Sequence, residues 1–355
     1  MRFSMSLVTL VLTLTLVAIV AQSTMTAQGR GSALRLCRIG TPEKPAAALY
    51  FDDRVVELEP LWRDYARSGA KAPSPAPDWR NPLEFLPHGP HSELGKQLAA
   101  YFAGLAPEAQ KRLSKPLAGT TLLPAVPFPA KFLLLAGNYA EHIQEGGGVA
   151  QARSETVPHF FWKPPTTTFR GSGTKVELPA VSPDFIDWEV ELAFVMGKRC
   201  KNVPAARALE YVAGYTVVND ISNRKFKPNP NRKETPGDRW FDWLHGKWFD
   251  SFAPIGPCVT SAADIPDPQT LRLQLRVNGK THQDSNTSKM VFGVAELIEF
   301  ISDVVELEPG DVISTGTPAG VGSTRNIFLR AGDKVEAEID RIGTLRTEIA
   351  AAPAQ

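Results

Sequence analysis

The run Asp187-Trp188-Glu189-Val190-Glu191-Leu192-Ala193-Phe194-Val195 constrains this chain more than any other stretch. Two glutamates sit among β-branched, aromatic and apolar residues, a composition that predicts a strand. Side chains alternate between strand faces, so Glu189 and Glu191 leave one rigid edge in the same direction. Like charges this close repel unless water solvates both or a positive charge lies between them. A hard divalent cation that prefers oxygen ligands (Mg²⁺, Mn²⁺ or Ca²⁺) supplies that charge; an ordinary solvated face is the alternative. A second predicted strand, Tyr215-Thr216-Val217-Val218-Asn219-Asp220, ends on an acid, and Asp220 is the natural third carboxylate if the two strands are neighbours.

With 355 residues, 43% of them hydrophobic, the chain buries a large core in one large or two unequal domains. Its 27 glycines and 30 prolines describe a turn-rich protein rather than a helical bundle. A formal net charge of +1 provides no field for nucleic acid or an anionic membrane. The N-terminus stands apart. Arg2 precedes an uncharged apolar run, Leu7–Ala21, followed by small and polar residues. That layout predicts a secretory signal over residues 1–27, a periplasmic or secreted mature protein and no membrane association after cleavage. An uncleaved anchor is the competing reading. Cys37, Cys200 and Cys258 are far apart and odd in number, which suggests neither a disulfide framework nor a zinc site. They read as small buried residues, with one pair able to bridge in an oxidising compartment.

Residues 33–128 read as a small strand-rich N-terminal domain. It has short strands at Ala47–Phe51 and Arg54–Leu58, a helix over Ser92–Ala103, and a proline-rich end at Leu123–Pro129. Lys131–Gly137 is then a buried strand. His142 and Glu145 follow, three apart, on one face of a predicted helical turn. Such a pair holds imidazole in one tautomer and makes it a general base near neutral pH; a plain surface contact is the alternative. Gly146-Gly147-Gly148 makes a mobile segment suited to a lid. Ser222–Trp248 mixes Lys, Arg and Trp with Glu234, Asp238 and Asp242, and reads as a long loop over a site rather than a nucleic-acid surface. Thr315–Gly322 is a Gly/Thr loop able to present N–H groups and hydroxyls to an anion. It lacks the lysine of a P-loop and the spacing of a dinucleotide fingerprint.

Taken in order, these pieces resemble the fumarylacetoacetate hydrolase superfamily, in its acylpyruvate hydrolase and 2-hydroxyhepta-2,4-diene-1,7-dioate isomerase-like branch. The matching residues are Asn138-Tyr139-x-x-His142-x-x-Glu145, Phe161-x-Lys163-Pro164, Asp187 to Leu192, Gly214-Tyr215-Thr216, Asn219-Asp220, Gly246-Lys247-x-Phe249-Asp250, Pro254-x-Gly256-Pro257 and Pro309 to Gly322. The resemblance implies an α+β fold in which residues 129–351 form a catalytic domain of mixed, strongly curved β-sheet with few helices. It implies a divalent cation, Mg²⁺ or a similar ion, on Glu189, Glu191 and Asp220. It also implies His142 as activator of water, Glu145 orienting it, Lys247 near a developing oxyanion and Thr317, with Gly316 beside it, holding a substrate carboxylate. Lys163 is a further candidate, equally readable as structural. Homodimers are usual in the superfamily.

One departure concerns the substrate. Relatives carry Arg-Asp-x-Gln shortly after Asn-Asp; here Arg224 fits, but Lys225 replaces the acid and Lys227 the amide. A cation where an amide normally faces substrate suggests an additional substrate carboxylate. A secretory signal is a second departure, since familiar members are intracellular. The expected activity is metal-dependent hydrolysis of a C–C bond in a small-molecule dicarbonyl acid, an acylpyruvate-like β-diketo acid. Two other readings stand beside it: an isomerase or decarboxylase using the same enolate, and a secreted Ca²⁺-binding module without catalysis.

Overall fold

Alternating burial along the acidic strand sets the layers of the molecule. Val190, Leu192, Phe194 and Met196 enter one apolar cluster, while Ala193 and Val195 enter a second on the opposite face. In the computed structural model, which describes residues 33–127 and 129–352, this strand (Val190–Met196) lies within a large mixed sheet. The expected signal segment, residues 1–27, lies outside the described residues. From edge to edge the sheet runs Lys115–Pro116, Arg54–Glu57, Lys44–Tyr50, Arg35–Thr41, Ala253–Ser261, Val212–Asn219, Val190–Met196, Val312–Ser314, Phe132–Ala136 and His159–Trp162. Most neighbours are antiparallel; Val312–Ser314 and Phe132–Ala136 are parallel. The sheet has two ends, so the expected curvature does not amount to closure.

A five-stranded sheet covers one face, in the order Lys280–Asn286, Arg272–Val277, Lys334–Ile339, Gly343–Ala350 and Thr174–Glu177. Its Leu273, Leu275, Val335 and Ala337 share the cluster of Val190 and Leu192, joined by Val294, Leu297, Ile298 and Ile301 from the helix Val294–Val304. The other face is covered from the N-terminal segment. There the helix Ser92–Gly104 buries Leu94, Leu98 and Phe102, its i, i+4, i+8 stripe, in the cluster of Ala193 and Val195.

The N-terminal strands extend the large sheet: Arg35 pairs with Thr260 and Leu36 with Val259. The described residues contain eight α-helical segments, and none is long and apolar enough to cross a membrane. Cys37, Cys200 and Cys258 are buried free thiols.

Candidate active site

The strand pair Val190–Met196 and Val212–Asn219 brings the acids together. Val190 lies opposite Asn219, and the Asp220 N–H donates to the Glu189 carbonyl at 2.9 Å. One oxygen from each of Glu189, Glu191 and Asp220 then lies within 4.8 Å of the others, and all three residues are buried. Sequence spacing alone left a solvated face open; burial removes it.

Three cations attend the cluster. Lys247 Nζ donates to Glu189 Oε2 at 3.0 Å, to Asp220 Oδ2 at 2.5 Å and to Ser222 Oγ at 2.9 Å. Lys163 Nζ donates to Asp220 Oδ1 at 2.6 Å and to the carbonyls of Ile221 and Phe252. Arg224 spans Glu189 Oε1 at 2.5 Å and Asp187 Oδ2 at 2.8 Å. These contacts set the ionisation. Burial alone would raise Glu189, but Lys247 and Arg224 outweigh it and hold its pKa at about 2. Glu191 goes the other way: burial, with Asp220 and Glu189 beside it, pushes it well above the carboxylate range. Burial draws Lys163 down to about 8.

The donors to Glu191 are neutral. Ser314 Oγ and the Gly316 N–H both reach its Oε2, at 2.6 and 3.0 Å. Four buried carboxylates (Asp187, Glu189, Glu191, Asp220) thus face three cationic side chains (Lys163, Lys247, Arg224). An all-oxygen donor set in which burial and two neighbouring acids drive Glu191 to keep its proton fits a hard divalent cation, which would take that proton's place.

The six-residue helix Ala140–Glu145 sets the His–Glu pair beside this cluster. His142 Nδ1 and Glu145 Oε1 are 2.8 Å apart, both half-buried. The Gly320 N–H donates to Glu145 Oε2 at 2.9 Å. Burial would raise Glu145, but the His142 and Gly320 contacts hold it below the ordinary carboxylate value. His142 is close enough to Glu189 to lower that carboxylate's pKa.

The Gly/Thr loop is tied to the scaffold. Its N–H groups serve protein carboxylates: Gly316 serves Glu191, Gly320 serves Glu145, and Gly322 and Ser323 serve Asp187 at 2.7 and 3.1 Å. The Thr317 hydroxyl donates to the Val190 carbonyl and accepts from Gln283 Nε2. Gly316 and Thr317, expected to face substrate, are therefore engaged with the scaffold, as is Lys163 with all three of its protons. Lys227 is not brought to the cluster; it is exposed and pairs with Glu234 at 2.7 Å. Lys225 lies 4.4 Å from the centre of the Phe185 ring.

Sequence reasoning passed over Asp187 as a site residue. Fully buried, it accepts from Arg224, Gly322, Ser323 and the Trp188 N–H, tying the cation-bearing loop to the one that anchors Glu145. Its place directly before the acidic strand was the available signal.

Buried carboxylates at the ends of two sheet strands, lysines bridging them and a His–Glu pair on the adjoining helix make up a candidate active site. Residues 131–350 match the fumarylacetoacetate (FAA) hydrolase C-terminal family, and the chain belongs to that family. It is 44% identical over 223 residues to an uncharacterised protein of Pyrococcus horikoshii, covering 63% of this chain and 89% of that protein. Among solved structures it is similar to a 5-carboxymethyl-2-hydroxymuconate delta-isomerase from Mycobacterium smegmatis, with 30% identity, a TM-score of 0.61, and 90% of this chain and 100% of that one covered. It is likewise similar to a maleylpyruvate hydrolase from Sphingobium sp. SYK-6, at 28% identity, TM-score 0.65 and the same two coverages.

Proposed function

We propose that this chain is a divalent-metal-dependent hydrolase that cleaves a C–C bond in an acylpyruvate-like β-diketo acid. The observation that carries the reading is the His142–Glu145 pair, anchored by Gly320 and set beside the buried carboxylate cluster. Glu189, Glu191 and Asp220 would hold Mg²⁺ or Mn²⁺. Bound there, the ion would polarise the substrate's oxygens and stabilise enolate charge as it develops. His142 takes a proton from water at its free ring nitrogen, since Nδ1 is engaged by Glu145. Glu145 fixes the tautomer and stabilises the imidazolium that forms. Lys247 keeps Glu189 ionised and adds positive charge beside it and Asp220. A homodimer is part of the reading.

The similar isomerase from Mycobacterium smegmatis favours a second reading, in which the same site isomerises or decarboxylates its substrate without an attacking water. One assay separates them. The purified protein, supplied with Mg²⁺ or Mn²⁺, is screened against acylpyruvates, oxaloacetate and unsaturated hydroxy-diacids, alongside His142→Ala. Hydrolysis is expected in the wild type. In His142→Ala its kcat should fall by about 10²–10⁴-fold, as for loss of a general base, with unchanged cation affinity. Full hydrolysis in His142→Ala refutes the mechanism. Isomerisation or decarboxylation without hydrolysis in either protein selects the second reading.

A further inference from the structure

Tyr139 is 1% exposed, yet its ring joins neither apolar cluster, and its hydroxyl has no hydrogen-bond partner. Leaving such a group unpaired costs about 1–3 kcal/mol, so this buried hydroxyl calls for a partner that the protein itself does not supply. The backbone puts Tyr139 between the two halves of the site. Its carbonyl accepts from the His142 and Ile143 N–H groups, starting the helix that carries the His–Glu pair. Its neighbour Asn138 donates to the Thr315 carbonyl at 2.9 Å. A Cβ on Gly316, whose N–H holds Glu191, would come within 3.1 Å of the Asn138 Cβ. Burial, and then Glu191, raise the phenol's pKa, so the hydroxyl stays protonated and can donate.

The other candidate donors are engaged. Lys163, Lys247, Gly316 and Thr317 all donate to protein atoms. The Asn219 amide is a second orphan nearby, but Asn219 lies opposite Val190, on the face turned away from Glu191.

We propose that Tyr139 is a substrate-binding residue whose hydroxyl donates a hydrogen bond to an oxygen of the substrate's 2-oxo-acid edge where that edge meets the Glu189–Glu191–Asp220 cluster. This rests on the metal-dependent reading above and names a contact that reading leaves open. The test is calorimetric titration of the full chain with Mn²⁺, then with oxalate, a planar stand-in for that edge, in wild type and Tyr139→Phe. Tyr139→Phe should bind Mn²⁺ as the wild type does. It should bind oxalate about 10- to 100-fold more weakly, the loss expected for a hydrogen bond to a charged oxygen. Metal-free Tyr139→Phe should melt no lower than wild type, because its hydroxyl has no protein partner to lose. Equal oxalate affinity in the two proteins overturns the role of Tyr139 while leaving the metal-dependent reading intact. A lower melting temperature for metal-free Tyr139→Phe with equal oxalate affinity makes the hydroxyl structural. No Mn²⁺ or oxalate binding by the wild type overturns both.

Discussion

Lys163 shows how a single residue can be both expected and reassigned. Its placement in Phe161-x-Lys163-Pro164 marked it as a candidate for substrate or for structure, and sequence alone could not choose. The structure gives it no exposed surface and three acceptors: Asp220 and the carbonyls of Ile221 and Phe252. Its work is to hold Asp220 in place. Removing one partner of a buried ion pair costs up to about 3–5 kcal/mol; without Lys163, Asp220 would keep Lys247, while the Ile221 and Phe252 carbonyls would lose their donor. Lys163→Met should therefore lower the free energy of unfolding in urea by up to that amount, with divalent-cation affinity falling as Asp220 loses one of its two anchors. Unfolding unchanged from wild type would mean that Lys247 alone suffices to hold Asp220. The acids themselves were legible because strand alternation is local: Glu189 and Glu191 share a face in any strand of this sequence. The scaffold contacts of Gly316 and Thr317 were not legible because their partners, Glu191, Val190 and Gln283, depend on register between distant strands, which composition does not encode.

At the scale of the element, the loop Thr315–Ser323 is held by carboxylates from two directions. Asp187 takes the N–H groups of Gly322 and Ser323, while Glu145 takes that of Gly320. Gly320 itself has φ +109°, and a Cβ there would lie 2.3 Å from the His282 carbonyl oxygen, so only glycine fits. The Glu145 clamp carries a pH signature. Its folded pKa is depressed below the ordinary value, so its stabilisation is fully present above the unfolded pKa and is lost as pH falls through the folded one. Glu145→Gln does not titrate at this position. Its deficit in urea unfolding relative to wild type should be largest near neutral pH and shrink on acidification through the carboxylate range. A deficit constant across pH would mean that the clamp works through shape rather than charge. The helical turn bearing His142 and Glu145 could be read from their spacing; the loop that anchors it could not, since Gly320 lies far along the chain.

At the scale of the molecule, the site stands where long-range pairings converge. Strands from residues 35–57 extend the sheet through Arg35 and Leu36 pairing with Thr260 and Val259, and N-terminal helices cover the face on which Ala193 and Val195 lie. Local strand patterns were visible at both ends of the chain, but nothing in either segment announces a partner more than two hundred residues away. The assembled core takes four acidic side chains out of water with three cations beside them, and the raised pKa of Glu191 among them is what motivates the proposed metal-dependent reaction. The most direct test is turnover of the preferred acylpyruvate by chelator-treated protein, followed as Mg²⁺ or Mn²⁺ is titrated back. The account predicts no hydrolysis in the metal-free protein and full recovery at one divalent ion per chain, with no recovery in Glu191→Ala. Full hydrolysis by the metal-free protein, or recovery undiminished in Glu191→Ala, would contradict it.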